Sequence, residues 1–67
     1  MELSARNQFK GTVTSLKTGT VMAEVVVDVG GQEIVAAITR GSAEAVGLAE
    51  EQDGTLVIKA TDAMFAR

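Results

Sequence analysis

The clearest pattern in the chain is a strict two-residue alternation from Val21 to Val29. Val21, Ala23, Val25, Val27 and Val29 form one wholly apolar face, while Met22, Glu24, Val26 and Asp28 form a mixed one. Period two with one apolar face predicts a half-buried strand. Gly30-Gly31 then fits a tight hairpin, because both central residues of such turns sit at positive φ. Gln32 to Thr39 is the expected return strand, carrying Ile34, Val35, Ala36, Ala37 and Ile38. Before the hairpin, Val13 to Leu16 is β-rich, and Lys17-Thr18-Gly19-Thr20 is expected to turn the chain.

Arg40-Gly41 interrupts the apolar pattern after Thr39. A short helix should follow, with Ser42 as its N-cap, Glu44 in its first turn and Gly47 closing it. Leu48 to Gly54 is an acidic connection through Glu50, Glu51 and Asp53, which read as solvation. Thr55 to Ala60 alternates again, with Leu56, Ile58 and Ala60 against Thr55, Val57 and Lys59. Thr61 to Ala66 is the expected last short strand. Short strands at close spacing with one small helix predict an all-β fold, a small OB-like antiparallel barrel. No linker, repeat or low-complexity tract divides the 67 residues, so residues 1–67 are expected to form a single domain.

Composition changes this picture in one respect. The chain is 46% hydrophobic but has no Cys, Trp or Tyr and two Phe. A domain this small is marginal alone, and it lacks the disulfides that hold many small domains together, so oligomerisation is expected. Without Cys or His there is no ordinary transition-metal ligand set, and no direct cation ligands are expected. The net charge of −3 and a pI near 4.6 argue against nucleic acid as a partner, which requires a basic field and usually aromatic stacking. No apolar run approaches a membrane span. Met1-Glu2-Leu3 lacks a basic start and an apolar run, so a cytoplasmic protein is expected.

Against this plain background two terminal motifs stand out. Ser4-Ala5-Arg6-Asn7-Gln8 and Lys59-Ala60-Thr61-Asp62 supply a hydroxyl, a guanidinium, an amide, an ammonium and backbone N–H groups. These are the parts of a site for a tetrahedral oxyanion. Arg6 offers a planar fork of donors and Lys59 a compact charge. Ala5 and Ala60 are small enough to let backbone N–H groups approach. In an extended segment Ser4 and Arg6 share a face. A donor-only pocket favours fully deprotonated dianions over phosphate, although Asp62 could supply an acceptor. Glu24 and Asp28 have no evident cleft or partner for acid–base catalysis, and no enzymatic activity is expected.

Ser4-Ala5-Arg6-Asn7-Gln8, Phe9-Lys10-Gly11-Thr12-Val13, Val21-Met22-Ala23-Glu24-Val25 and Lys59-Ala60-Thr61-Asp62-Ala63-Met64, in that order, resemble the molbindin (Mop) family of TOBE-like domains. The resemblance implies a five-stranded Greek-key barrel, assembled as a hexamer (a trimer of dimers), that binds molybdate or tungstate and uses no cofactor. It implies a main oxyanion site built from Ser4, Ala5, Arg6, Asn7, Lys59 and Ala60. It also implies a second site near a symmetry axis, for which Thr18, Gly19, Thr20, Arg40 and Ser42 are the candidates. The role implied is storage or buffering of the anion for molybdenum homeostasis. The alternatives are an anion-sensing regulatory module, an OB-type nucleic-acid-binding module and a ligand-free β-oligomer. Phe9 and Arg40-Gly41 depart from the family's usual residues, and Arg40 bears on the second site.

Overall fold

The computed structural model describes residues 3–67. A long strand β1 (Asn7–Thr18) is followed by β2 (Met22–Val29), β3 (Gln32–Thr39), a helix α1 (Arg40–Val46) and β4 (Asp53–Ile58). A 3-10 turn at Ala60–Asp62 leads into the C-terminal tail. All pairings are antiparallel, and the sheet order is β3-β2-β1-β4.

The strand β1 starts earlier than its apolar core suggests and serves two partners. Its first half, Asn7–Thr12, pairs with β4; from Thr12 onward it pairs with β2. The changeover is marked by a bulge between Val13 and Ser15. A bulge bends its strand and increases the twist, and here it lets the sheet curl. The polar residues Asn7, Gln8, Lys10 and Thr12 concealed this first half in the sequence, because they interrupt any apolar face. At the bulge the Val13 amide donates to the Gln52 carbonyl (2.9 Å), which continues the β1–β4 contact into the connecting loop.

Alternation decides the core. Ala23, Val25 and Val27 are buried with Val13, and Leu16, Val29, Ala36, Ile38, Leu48 and Leu56 pack around the cluster. Val21 shares their parity but lies outside β2 and is exposed. Gly30 and Gly31 take φ of +58° and +89°, as the β2–β3 hairpin requires.

Two expectations are corrected. The helix is capped by Thr39, not Ser42: the Thr39 hydroxyl oxygen accepts from the Ser42 amide at 3.1 Å and donates to the Ser42 hydroxyl at 2.7 Å. The strand β3 therefore runs directly into α1, and Arg40 and Gly41 are helical. Gly47 does end the helix, at φ +68°. Thr39→Ala is expected to cost about 1 kcal/mol, the usual loss for a removed cap, while Thr39→Ser should retain most of it; urea denaturation of both variants checks this.

The second correction concerns strand number. Among the described residues the sheet has four strands, not five. Thr61–Ala66 adds no strand: its start is the 3-10 turn, and the rest runs unpaired and exposed. The architecture is all-β with one short helix, an open and curled OB-like sheet.

Candidate oxyanion site at the β1–β4 end

Register brings the two terminal motifs together. Asn7 is paired with Ile58, so Arg6, just before β1, and Lys59, just after β4, flank the same end of the same strand pair. Ser4 forms a bend, and exposure alternates from Ser4 to Asn7, with Ser4 and Arg6 exposed and Ala5 and Asn7 half-buried. The expected common face of Ser4 and Arg6 thus fits the burial, although regular strand begins only at Asn7. Lys59 is extended (φ −66°, ψ 135°) and precedes the 3-10 turn that holds Ala60. No side chain caps that turn.

The electrostatics follow from the placement. Among the described residues the one ion pair is Arg40–Glu44, so neither Arg6 nor Lys59 has a carboxylate partner. Two like charges at neighbouring strand ends are mutually unfavourable. A dianion between them would turn that repulsion into two attractions. The arrangement gathers donors and positive charge at one end of the sheet, which suits anion binding.

One contributor escaped the sequence reading. The Gln8 side-chain amide donates to the Ala5 carbonyl at 2.7 Å. This ties the bend to the first turn of β1 and fixes the backbone that carries Ser4, Ala5 and Arg6. The signal was present in Ser-Ala-Arg-Asn-Gln: an amide three residues beyond a carbonyl is within reach of it.

The second candidate set also converges, at the opposite end of β1. Thr18 ends β1, Gly19 and Thr20 form the turn, and Arg40 starts the helix beside it. The Arg40 amide donates to the Val21 carbonyl at 2.7 Å, and one guanidinium nitrogen lies 3.5 Å from the Gly19 carbonyl. Much of this set is already engaged. Arg40 Nε donates to Glu44 at 2.8 Å, the Gly19 amide donates to the Met22 carbonyl at 2.7 Å, and the Ser42 amide is held by Thr39. Among the described residues no group of three His, Cys, Asp or Glu could hold a metal cation, and no helix is long and apolar enough to cross a membrane.

The model of the TOBE domain matches residues 3–65. The chain belongs to the TOBE domain family. Within that family it is 48% identical over 66 residues to molybdenum-pterin-binding protein 1 of Clostridium pasteurianum, covering 97% of each chain. The molybdate-binding protein of Sporomusa ovata superposes with a TM-score of 0.94 at 39% identity over the full length of both chains. The cytoplasmic molybdate-binding protein ModG, in a form with molybdate bound, superposes with a TM-score of 0.82 at 46% identity, over 90% of this chain and 43% of that one. The TOBE family, with its molbindin-type members, is therefore the one that the four ordered sequence strings resemble.

Proposed function

We propose that this TOBE domain binds molybdate, or its close analogue tungstate, and stores or buffers it in the cytoplasm. The observation that carries the reading is the Asn7–Ile58 register, which brings the chain positions of Arg6 and Lys59 to one end of the β1–β4 pair, with no carboxylate partner for either among the described residues. The molybdate-binding names and bound ligand of its relatives support the choice of anion. In this account Arg6 supplies a two-pronged hydrogen-bond fork, Lys59 a point charge, Ser4 and Asn7 polar side chains, and Ala5 and Ala60 close-approaching backbone. Binding is reversible, with no chemical step and no cofactor. The whole chain acts as a single module.

The open sheet fits a subunit that assembles with others, and the resemblance to molbindin points to a hexamer built as a trimer of dimers, with anions held between subunits. Thr18, Gly19, Thr20, Arg40 and Ser42 are proposed to line a second, weaker site, entered only if Arg40 exchanges Glu44 for the anion.

Thermal melts test the reading. A ligand at a hundred times its dissociation constant stabilises the bound state by about 2.7 kcal/mol. Molybdate and tungstate should raise the melting temperature by several degrees at concentrations where sulfate and phosphate do not. No shift with any of the four anions would remove the basis for a storage role.

A further inference from the structure

Ser4, Ala5 and Arg6 carry much of the proposed anion site, yet they lie outside every regular element. Pairing with β4 begins only at Asn7–Ile58. Among the described residues, no backbone–backbone hydrogen bond outside the strand ladders involves Ser4, Ala5 or Arg6. One side chain does reach the segment: Gln8 Nε2 donates to the Ala5 carbonyl oxygen at 2.7 Å. The direction of that bond is chemically forced, because a carbonyl only accepts and the NH2 of a carboxamide is its only donor. Gln8 is itself held in β1, where it pairs with Val57. The bond therefore runs from a residue that the sheet holds to one that it does not.

The bond fixes the plane of one peptide group. The Ala5 carbonyl and the Arg6 amide belong to the same peptide unit, and no peptide bond among the described residues is cis. In a planar trans unit these two groups point in opposite directions. Capturing the oxygen on Gln8 therefore turns the Arg6 N–H away from Gln8. Arg6 is exposed, and its N–H has no backbone acceptor outside the strand ladders among the described residues. It is a donor open to a ligand. Without the Gln8 bond the peptide is free to rotate and to present its oxygen where the N–H had been. For an anion the two orientations are opposites: the N–H donates to it and the carbonyl repels it. The peptide dipole of about 3.5 D reverses with the flip. Donors aimed in advance are what make an oxyanion site effective.

We propose that Gln8 is a positioning residue for the anion: it locks the Ala5–Arg6 peptide with the Arg6 N–H offered to the ligand and the Ala5 oxygen withheld, without touching the ligand itself. The proposal rests on the anion-binding reading above. It gives the Arg6 position two donors of different origin. The guanidinium is placed by its own side chain, whereas the backbone N–H is placed by Gln8. A site whose binding-competent orientation is only partly populated loses affinity by that fraction. Gln8 thereby sets how much of the protein is ready to bind before any anion arrives.

Gln8→Met keeps the length of the side chain and removes the donor. Its molybdate affinity, measured by calorimetry, is expected to fall about tenfold, the loss for a competent orientation reduced to about one in ten. Its melting temperature without anion should stay close to that of wild type, because Gln8 is exposed. Nuclear magnetic resonance supplies the readout that a merely structural bond would not move. In wild type, saturating molybdate should shift the Arg6 amide proton downfield and slow its exchange with water. In anion-free Gln8→Met the Arg6 amide should show a lower order parameter than in wild type. Equal molybdate affinities of wild type and Gln8→Met overturn the proposal. So does a wild-type Arg6 amide proton that does not respond while molybdate binds, and this arm needs no substitution that could disturb folding. A wild type that binds no molybdate removes the anion-binding reading and the proposal with it, so the wild-type titration tells the two failures apart.

Discussion

Arg6→Ala is expected to weaken molybdate binding about 100-fold. The fork of Arg6 can make two hydrogen bonds to an anion, and bonds of this charged kind contribute about 1.5–3 kcal/mol each. Losing them together, with partial replacement by water, corresponds to about 3 kcal/mol, or roughly two decades in affinity. Arg6→Lys should still lose about tenfold, because it retains charge but not the planar fork. Folding should be untouched in both variants: Arg6 is exposed and makes no ion pair among the described residues. Melting in the absence of anion provides that control. Calorimetric affinities equal to wild type in the two variants would remove Arg6 from the site.

Gly11→Ala is expected to destabilise the fold strongly, because among the glycines it is the one where an added methyl meets the closest contacts. Gly11 lies where β1 is about to pass from β4 to β2, paired with Gly54. A Cβ there would sit 2.6 Å from the Asp28 carbonyl oxygen, 2.8 Å from Val27 Cγ1 and 3.1 Å from Val29 Cγ2. The first of these is backbone in the neighbouring strand and cannot rotate away. The methyl must therefore push β1 off β2 next to the Thr12–Asp28 pair. Overpacking of this kind costs about 1–3 kcal/mol. The expected drop in melting temperature is about 10–20 °C for a domain this small, compared at one protomer concentration because assembly makes melting concentration-dependent. Gly41→Ala is the matched control: Gly41 lies in α1 with nothing within 4 Å of the added carbon. That change should be neutral or mildly stabilising. Equal melting temperatures for the two variants would contradict the close β1–β2 approach.

The elements that could be read from sequence were those whose cause is local. The β2–β3 hairpin follows from alternating valines around Gly30-Gly31, and β3 spans Gln32–Thr39 as expected. The helix end at Gly47 follows from its freedom to adopt positive φ. Other features depend on partners distant in sequence. The first half of β1 is a strand because β4 pairs with it, not because its own pattern demands one. Gly11 gives no local sign that Asp28 lies against it. The cap went to Thr39 because β3 continues into α1 without a loop, so the hydroxyl one turn earlier was already in place. The strand expected at Thr61–Ala66 fails for a different reason: an apolar segment favours extended backbone, but it pairs only where a sheet edge lies beside it, and here a 3-10 turn carries it away from β4.

The proposed site can be divided in the same way between local and distant causes. Residue types in Ser4–Asn7 and Lys59–Ala60 indicated an oxyanion, and the β1–β4 register supplied what composition could not, the adjacency of Arg6 and Lys59. The second set was chosen from the turn and the helix start. These two elements do meet, but the Glu44 pairing of Arg40 could not be foreseen while the helix was thought to begin at Ser42.

The most direct test is a calorimetric titration of the intact protein with molybdate in a large excess of sulfate. Saturable molybdate binding that survives the sulfate and collapses in Arg6→Ala is the predicted result. An absence of saturable binding, or equal binding by wild type and Arg6→Ala, would contradict the account.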